Sequence, residues 1–102
     1  MYYTLKGKTP VKAESAIEWG QWMESHKETR QLANNMINNC RVSTVFLGVD
    51  HSLSRDDEPV LFKTMVFCEG RKHRHDQEQE RYHTFDDAME GHEAMIAKIG
   101  RR

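Results

Sequence analysis

RVSTVFLGVDH, residues 41–51, and VLFKTMVFC, residues 60–68, decide the fold. Both runs are dense in β-branched and aromatic residues, which suit a pleated surface. The segment between them, SLSRDDE followed by Pro59, is polar. Eight connecting residues (52–59) suit an antiparallel hairpin with a long loop. Pairing Val60 near Asp50 sets Val42 opposite Cys68 and leaves Cys40 just beyond, with both thiols at one end of the hairpin. Both faces of the hairpin read as apolar, Val60, Phe62 and Val66 on one side, Leu61, Met65 and Phe67 on the other. Helices can cover one such face, so another copy of the chain is expected over the opposite one.

Working outward, Thr84 precedes FDDAMEGHEAMIAKIG. A threonine N-cap with Asp86 and Asp87 in the first turn favours a helix there. Phe85, Ala88, Met89, His92, Ile96 and Ile99 share a face, and Gly100 closes it. On the other side, Ala16, Ile17, Trp19, Trp22 and Met23 recur at helical spacing over 13–25. Residues 29–37 fit a short strand or a helical extension, and Asn38-Asn39 reads as a turn. Tyr2 to Leu5 carry β-favouring aromatics, and Gly7 and Pro10 punctuate a turn. Residues 69–81 hold no large apolar side chain and read as a solvated loop or hairpin tip. The fold class is α+β: an antiparallel sheet of three to four strands dominated by the long hairpin (41–51, 60–68), with two helices (13–25, 85–99) on one face.

The chain is 102 residues long, within the range of a single domain spanning 1–102. Apolar residues make up 37%, charged residues 30%, and the mean hydropathy is -0.84. The apolar residues fall in blocks rather than sparsely, as a folded domain requires. Fifteen basic against sixteen acidic side chains leave a formal charge of -1, which disfavours binding to a nucleic-acid polymer. A small anion held by two or three local cations remains compatible. No run approaches the roughly 20 apolar residues that cross a bilayer, and the opening MYYTLKGKTPVK lacks a signal-peptide layout. The expected compartment is the cytoplasm, where Cys40 and Cys68 would be free thiols.

Six histidines invite a metal site. His73, His75, Asp76 and His83 lie close in sequence, and Asp50-His51 is a second pair. Zinc needs three or four ligands converging on ordered backbone, so a polar, histidine-collecting loop is the simpler reading and no metal or other cofactor is expected. Cys40 and Cys68 flank strands rather than a helix N-terminus and lack the setting of a nucleophile. Asp56-Asp57 reads as a solvated turn. No nucleophile elbow, phosphate-cradling glycine loop or H-E-x-x-H is present, so binding is expected rather than catalysis. Trp19 and Trp22, three apart on one helix, read first as core. Arg81-Tyr82-His83-Thr84, where a loop enters a helix, is the best local candidate for a nucleotide contact: an aromatic to stack on a base beside cations for phosphate. Its structural counterpart is a staple for the last helix.

STVFLGVDH, PVLFKTMVF and RYHTFDDAMEGHEAM, together with MYYTLKGKTPV and Ile17-Glu18-Trp19, resemble a small-protein family widespread in tailed bacteriophages. The resemblance covers nearly the whole chain. Three positions depart from that pattern: Lys63 stands where an acidic residue is common, the loop after His51 has less glycine, and Phe85 stands where tryptophan is frequent. The chain also resembles the phage anti-defence sponge proteins that sequester cyclic dinucleotide signals of the CBASS type. That likeness implies a homo-oligomer (dimer or tetramer) in the host cytoplasm that buries a cyclic dinucleotide between subunits and leaves it intact. Tyr82 or Trp19 would then stack on a base, while Arg81, Arg41 and Lys63 neutralise phosphates. Thr44, Thr64 and Asp50 would hydrogen-bond base edges or ribose. Two other readings remain: a protein-interaction module that inhibits a host defence enzyme, and a small metal-dependent hydrolase using Asp50, His51 and loop histidines.

Overall fold

A computed structural model describes residues 1–50, 58–70 and 74–100. Its centre is β4 (Cys40–Phe46) paired antiparallel with β5 (Phe62–Cys68), the two apolar runs that dominate the sequence. β3 (Gln31–Ile37) precedes β4 through Asn38 and Asn39, whose φ values of 49° and 65° are those of a two-residue hairpin turn. Asparagine tolerates this left-handed backbone better than most residues, which resolves the ambiguous 29–37 segment in favour of a strand. β6 (Gln79–Tyr82) pairs on the far side of β5, giving a four-stranded sheet of order β3-β4-β5-β6. A separate ribbon forms from β1 (Tyr3–Lys6) and β2 (Thr9–Lys12), turning at Gly7 with φ 63°.

α2 (Phe85–Gly100) lies across the sheet, against β3, β4, β5 and β6. Thr84 caps it, its hydroxyl accepting from the Asp87 amide at 3.0 Å. α1 (Ala16–Ser25) is capped by Ser15, which accepts from the Glu18 amide. It packs on β1 and reaches the same sheet face through Trp22, whose ring meets Phe46 edge-on. The architecture is therefore α+β, with the helices on one side of the sheet.

Several expectations are corrected. The strand over 41–51 ends at Phe46, because Gly48 takes φ 77° and packs so tightly on Trp19 and Met23 that a side chain there would collide. Residues 51–57 lie outside the described residues. Cys40 pairs with Cys68 and Val42 with Val66, two residues from the expected register. In-register pairing puts the sulfurs in contact, and the two cysteines are joined as a disulfide with Cα atoms 4.0 Å apart, not left as thiols. Pro10 belongs to a strand, on a ribbon edge where its missing N–H costs nothing. The polar 69–81 stretch supplies β6, and its described part is tied down: His75 Nδ1 meets Glu78 at 2.9 Å, and Lys98 donates to Glu78 at 2.7 Å. The Lys98 ammonium holds the Glu78 carboxyl below its usual value. Met95, rather than Ile96, joins Ala88, His92 and Ile99 as a buried contact of α2.

Beneath α2 the core divides in two. One cluster gathers Leu5, Phe46, Leu61, Phe62 and Ala88; the other gathers Cys40, Val42, Val66, Met95 and Ile99. Leu61, expected on the outer face, is buried in the first cluster. Between the two runs a polar relay, with His92 only 1% exposed at its middle. His92 Nε2 donates to Asn35 Oδ1 at 2.7 Å, leaving Nδ1 as the acceptor for the Thr44 hydroxyl at 2.7 Å. Thr44 in turn bonds Thr64, and Thr64 bonds the phenol of Tyr82. Tyr82 fits only because residue 91 is glycine, since a Cβ there would overlap the phenol ring. Among the described residues no buried side-chain nitrogen or oxygen lacks a partner.

Burial holds the His92 pKa below its ordinary value of 6.5, with the Glu93 charge opposing it. Above that pH the imidazole is neutral in folded and unfolded chains alike, and its contribution to stability is complete. As pH falls below it the unfolded chain takes up a proton that the folded one resists, so stability declines. Chemical denaturation at about pH 7 and about pH 5 should show a midpoint that falls on acidification in the native protein and falls less in His92→Asn. Equal slopes for the two proteins would exclude His92 as the source.

Candidate functional site

Strand alternation sorts the sequence-nominated residues onto opposite sides of the sheet. Thr44 and Thr64 face α2, are fully buried, and spend their hydroxyls on the His92 relay. Tyr82 pairs with Phe62 on the same inner side, and burial raises its pKa above the usual 10.0. Arg81, one residue earlier, points the other way. Arg81 and Tyr82 therefore cannot grip one ligand together, despite their adjacency. Thr84 is occupied as the α2 cap, and His83 Nδ1 contacts the Pro59 carbonyl at 3.1 Å.

Trp19 and Asp50 lie elsewhere. The Trp19 indole donates to the Gly48 carbonyl at 3.0 Å and its ring rests on Tyr2, centroids 4.6 Å apart. Asp50 Oδ1 accepts the Val60 amide at 2.9 Å, clamping the two ends of the 51–59 connection. Both side chains make these contacts within the fold. Among the described residues no three histidine, cysteine, aspartate or glutamate side chains converge as metal ligands. His75 is buried beside Glu78, and Asp76 accepts the Cys68 amide. His51 and His73 lie outside the described residues.

The remaining three nominees, Arg41, Lys63 and Arg81, share the sheet face turned away from α2. Registered pairs arrange that face in three rows. Gln31, Val45, Lys63 and Arg81 form the first; Asn34, Ser43, Met65 and Gln79 the second; Met36, Arg41 and Phe67 the third. Among the described residues no helix lies over it. Met36 is 64% and Phe67 40% exposed, large values for apolar side chains on a central sheet. Arg41 lies over the Phe67 ring at 4.8 Å, and Gln31 donates to Ser43 at 3.4 Å.

The charge pattern of this face is one-sided. Its strand positions carry three cations and no carboxylate. Lys63 and Arg81 are direct cross-strand partners, an arrangement of like charges that destabilises a sheet. Among the described residues none of the three cations forms an ion pair. Between them Ser43, Val45, Leu47, Lys63, Met65 and Phe67 line a shallow depression of about 170 Å³. Pockets that enclose a small ligand are typically about 300–1,000 Å³, so one chain supplies a wall and not a closed site. Chemically the surface offers cations for an anion, one hydroxyl, and an apolar bed of valine, leucine, methionine and phenylalanine.

Sequence reasoning missed Ser43, Val45, Leu47 and Met65 as a lining set. Their period-two spacing with Arg41 and Lys63 was available, but the correct register was not. No family model matches the chain, and no curated protein or solved structure matches it.

Thr44→Val should destabilise the fold by about 1–3 kcal/mol, because it leaves the buried His92 Nδ1 without its donor, while any ligand affinity stays unchanged. A loss of ligand affinity in a variant that remains fully folded would return Thr44 to the site.

Proposed function

We propose that the chain is a non-catalytic binding protein that sequesters a cyclic dinucleotide on the open sheet face. The observation that carries this reading is the Lys63–Arg81 cross-strand pair. Two cations held side by side without a carboxylate are a cost to the apo sheet that an anion removes. A phosphodiester between Lys63 and Arg81 accepts charge-assisted hydrogen bonds from both, and Arg41 is placed for a second phosphate. Bases lie on the apolar bed of Val45, Met65 and Phe67, and the Ser43 hydroxyl supplies a polar contact. Among the described residues no group on this face is poised as a nucleophile or general base, which supports a ligand held without being cleaved. The opposite wall of the site comes from another copy, in a dimer or tetramer.

This assignment keeps Arg41, Lys63 and Arg81 and gives up Tyr82, Thr44 and Thr64 as contacts. It fits the resemblance to phage sponge proteins acting against CBASS-type immunity in the host cytoplasm. Lys63, a departure from that pattern, becomes a contact of this chain's own. A second reading draws on the exposure of Met36 and Phe67, which suits a docking surface for a host defence enzyme.

Titration calorimetry against cyclic di- and trinucleotides, with chromatography of the ligand released by heat, separates these readings. The expected result is tight binding with intact ligand recovered. Arg81→Ala should weaken it by about 1.5–3 kcal/mol if the guanidinium makes a charge-assisted bond. Cleaved product would make the protein an enzyme. No heat with any nucleotide would overturn the proposal and favour the protein-docking reading.

A further inference from the structure

Among the described residues the four-stranded sheet ends in two unpaired edges, β3 and β6, and they differ in chemistry. β6 is four residues long and carries Glu80 and Arg81, with Lys98 of α2 beside it. β3 is seven residues long and reads QLANNMI: no charge, no proline, no glycine. Soluble proteins ordinarily guard an edge strand with charge, proline, brevity or a bulge. β3 has a guard only at its start, where the register shifts between Gln31 and Ala33. From Ala33 to Ile37 the pairing with β4 is regular, so this stretch presents a straight outer edge. Asn34, Asn35 and Met36 are exposed along it, and α1 does not cover it.

We propose that β3 is an interaction edge whose partner is β3 of a second copy, joined antiparallel. An uncharged strand can meet its own image without like-charge repulsion, and exposed Asn34 can bond amide to amide across the join, the Asn35 side-chain oxygen being held by His92. Neither β6 nor the open face can do this. A join of β6 to its own copy never sets Glu80 opposite Arg81, because adjacent strand residues point to opposite faces, and without ligand the open face sets Arg41, Lys63 and Arg81 against their own copies. The edge is thus the surface through which the ligand-free chain self-associates. Joining two β3 strands makes one eight-stranded sheet. The helices then lie on one side and the two cationic faces lie coplanar on the other.

The join also reaches the core. Asn35, whose side-chain oxygen holds His92 Nε2, sits within the paired stretch. The inference concerns the ligand-free protein and does not depend on which ligand the open face takes.

The test is sedimentation velocity of the ligand-free protein from ~1 to ~200 µM, a range suited to a small interface. Deuterium exchange is read at both ends of that range. The native chain should pass from monomer to dimer, with amides in 33–37 gaining protection at high concentration and those in 79–82 unchanged. Asn34→Lys places charge on the edge at an exposed position and should weaken association by about tenfold or more. Met65→Lys, on the open face, should leave association intact. A native chain monomeric throughout would overturn the proposal. So would a dimer sensitive to Met65→Lys but not to Asn34→Lys, or one without concentration-dependent protection in 33–37. Because exchange is read on the native chain, the result does not hinge on either variant folding. A failed calorimetric titration with a dimer intact would count against the ligand alone.

Discussion

The hydrogen-bonded relay Asn35–His92–Thr44–Thr64–Tyr82 is the constraint on which the rest of the structure depends. It takes one side chain from each strand of the sheet and one from α2. Apolar burial already penalises a one-residue slip, which would turn the inward side chains outward, and a chain of buried polar groups adds to this because the same shift would strand a donor or acceptor away from water. Each group in the relay can donate once in a single direction: phenol to Thr64, Thr64 to Thr44, Thr44 to His92, His92 to Asn35. That ordering sets the histidine tautomer and requires the imidazole to stay neutral. Gly91 then follows from the relay, since the phenol occupies the space its side chain would fill.

Locking the inner side of the sheet also determines the outer side. Once Thr44 and Thr64 face α2, the period of two turns Arg41, Ser43 and Val45 outward on β4 and Lys63, Met65 and Phe67 outward on β5. Tyr82 inward means Arg81 outward. The one-sided charge of the open face is therefore a consequence of core polar pairing. The disulfide between Cys40 and Cys68 lies at the end of this register away from the β4–β5 connection, beside the Asn38-Asn39 turn and among Val42, Val66, Met95 and Ile99.

The two strongest strands, the last helix and its threonine cap were legible because each has a local cause: β-branched density, a 3.6-residue period, a side-chain oxygen before acidic residues. The Asn-Asn turn was legible too. β6 was not, since QERY carries one apolar residue and owes its strand geometry to β5 and α2. β2 was hidden by Pro10, which ordinarily signals a turn. The hairpin register was displaced by two residues because the chain leaves β4 at Phe46, where Gly48 packs on Trp19 and Met23. Only tertiary contact specifies that departure. Among the candidate site residues, the cations were legible as cations. Which of them share a face depended on register, and Tyr82, Thr44 and Thr64 were lost to the core for that reason.

The central claim is that the outward side chains, and not the inward ones, meet the ligand. Methyl-resolved NMR titration with a cyclic dinucleotide tests it most directly, because neighbouring residues on β4 and β5 report opposite faces. The account predicts shifts of the Val45, Leu47 and Met65 methyls, with Val42, Val66 and Met95 unmoved. Movement of the inner methyls while the outer ones stay still would contradict it.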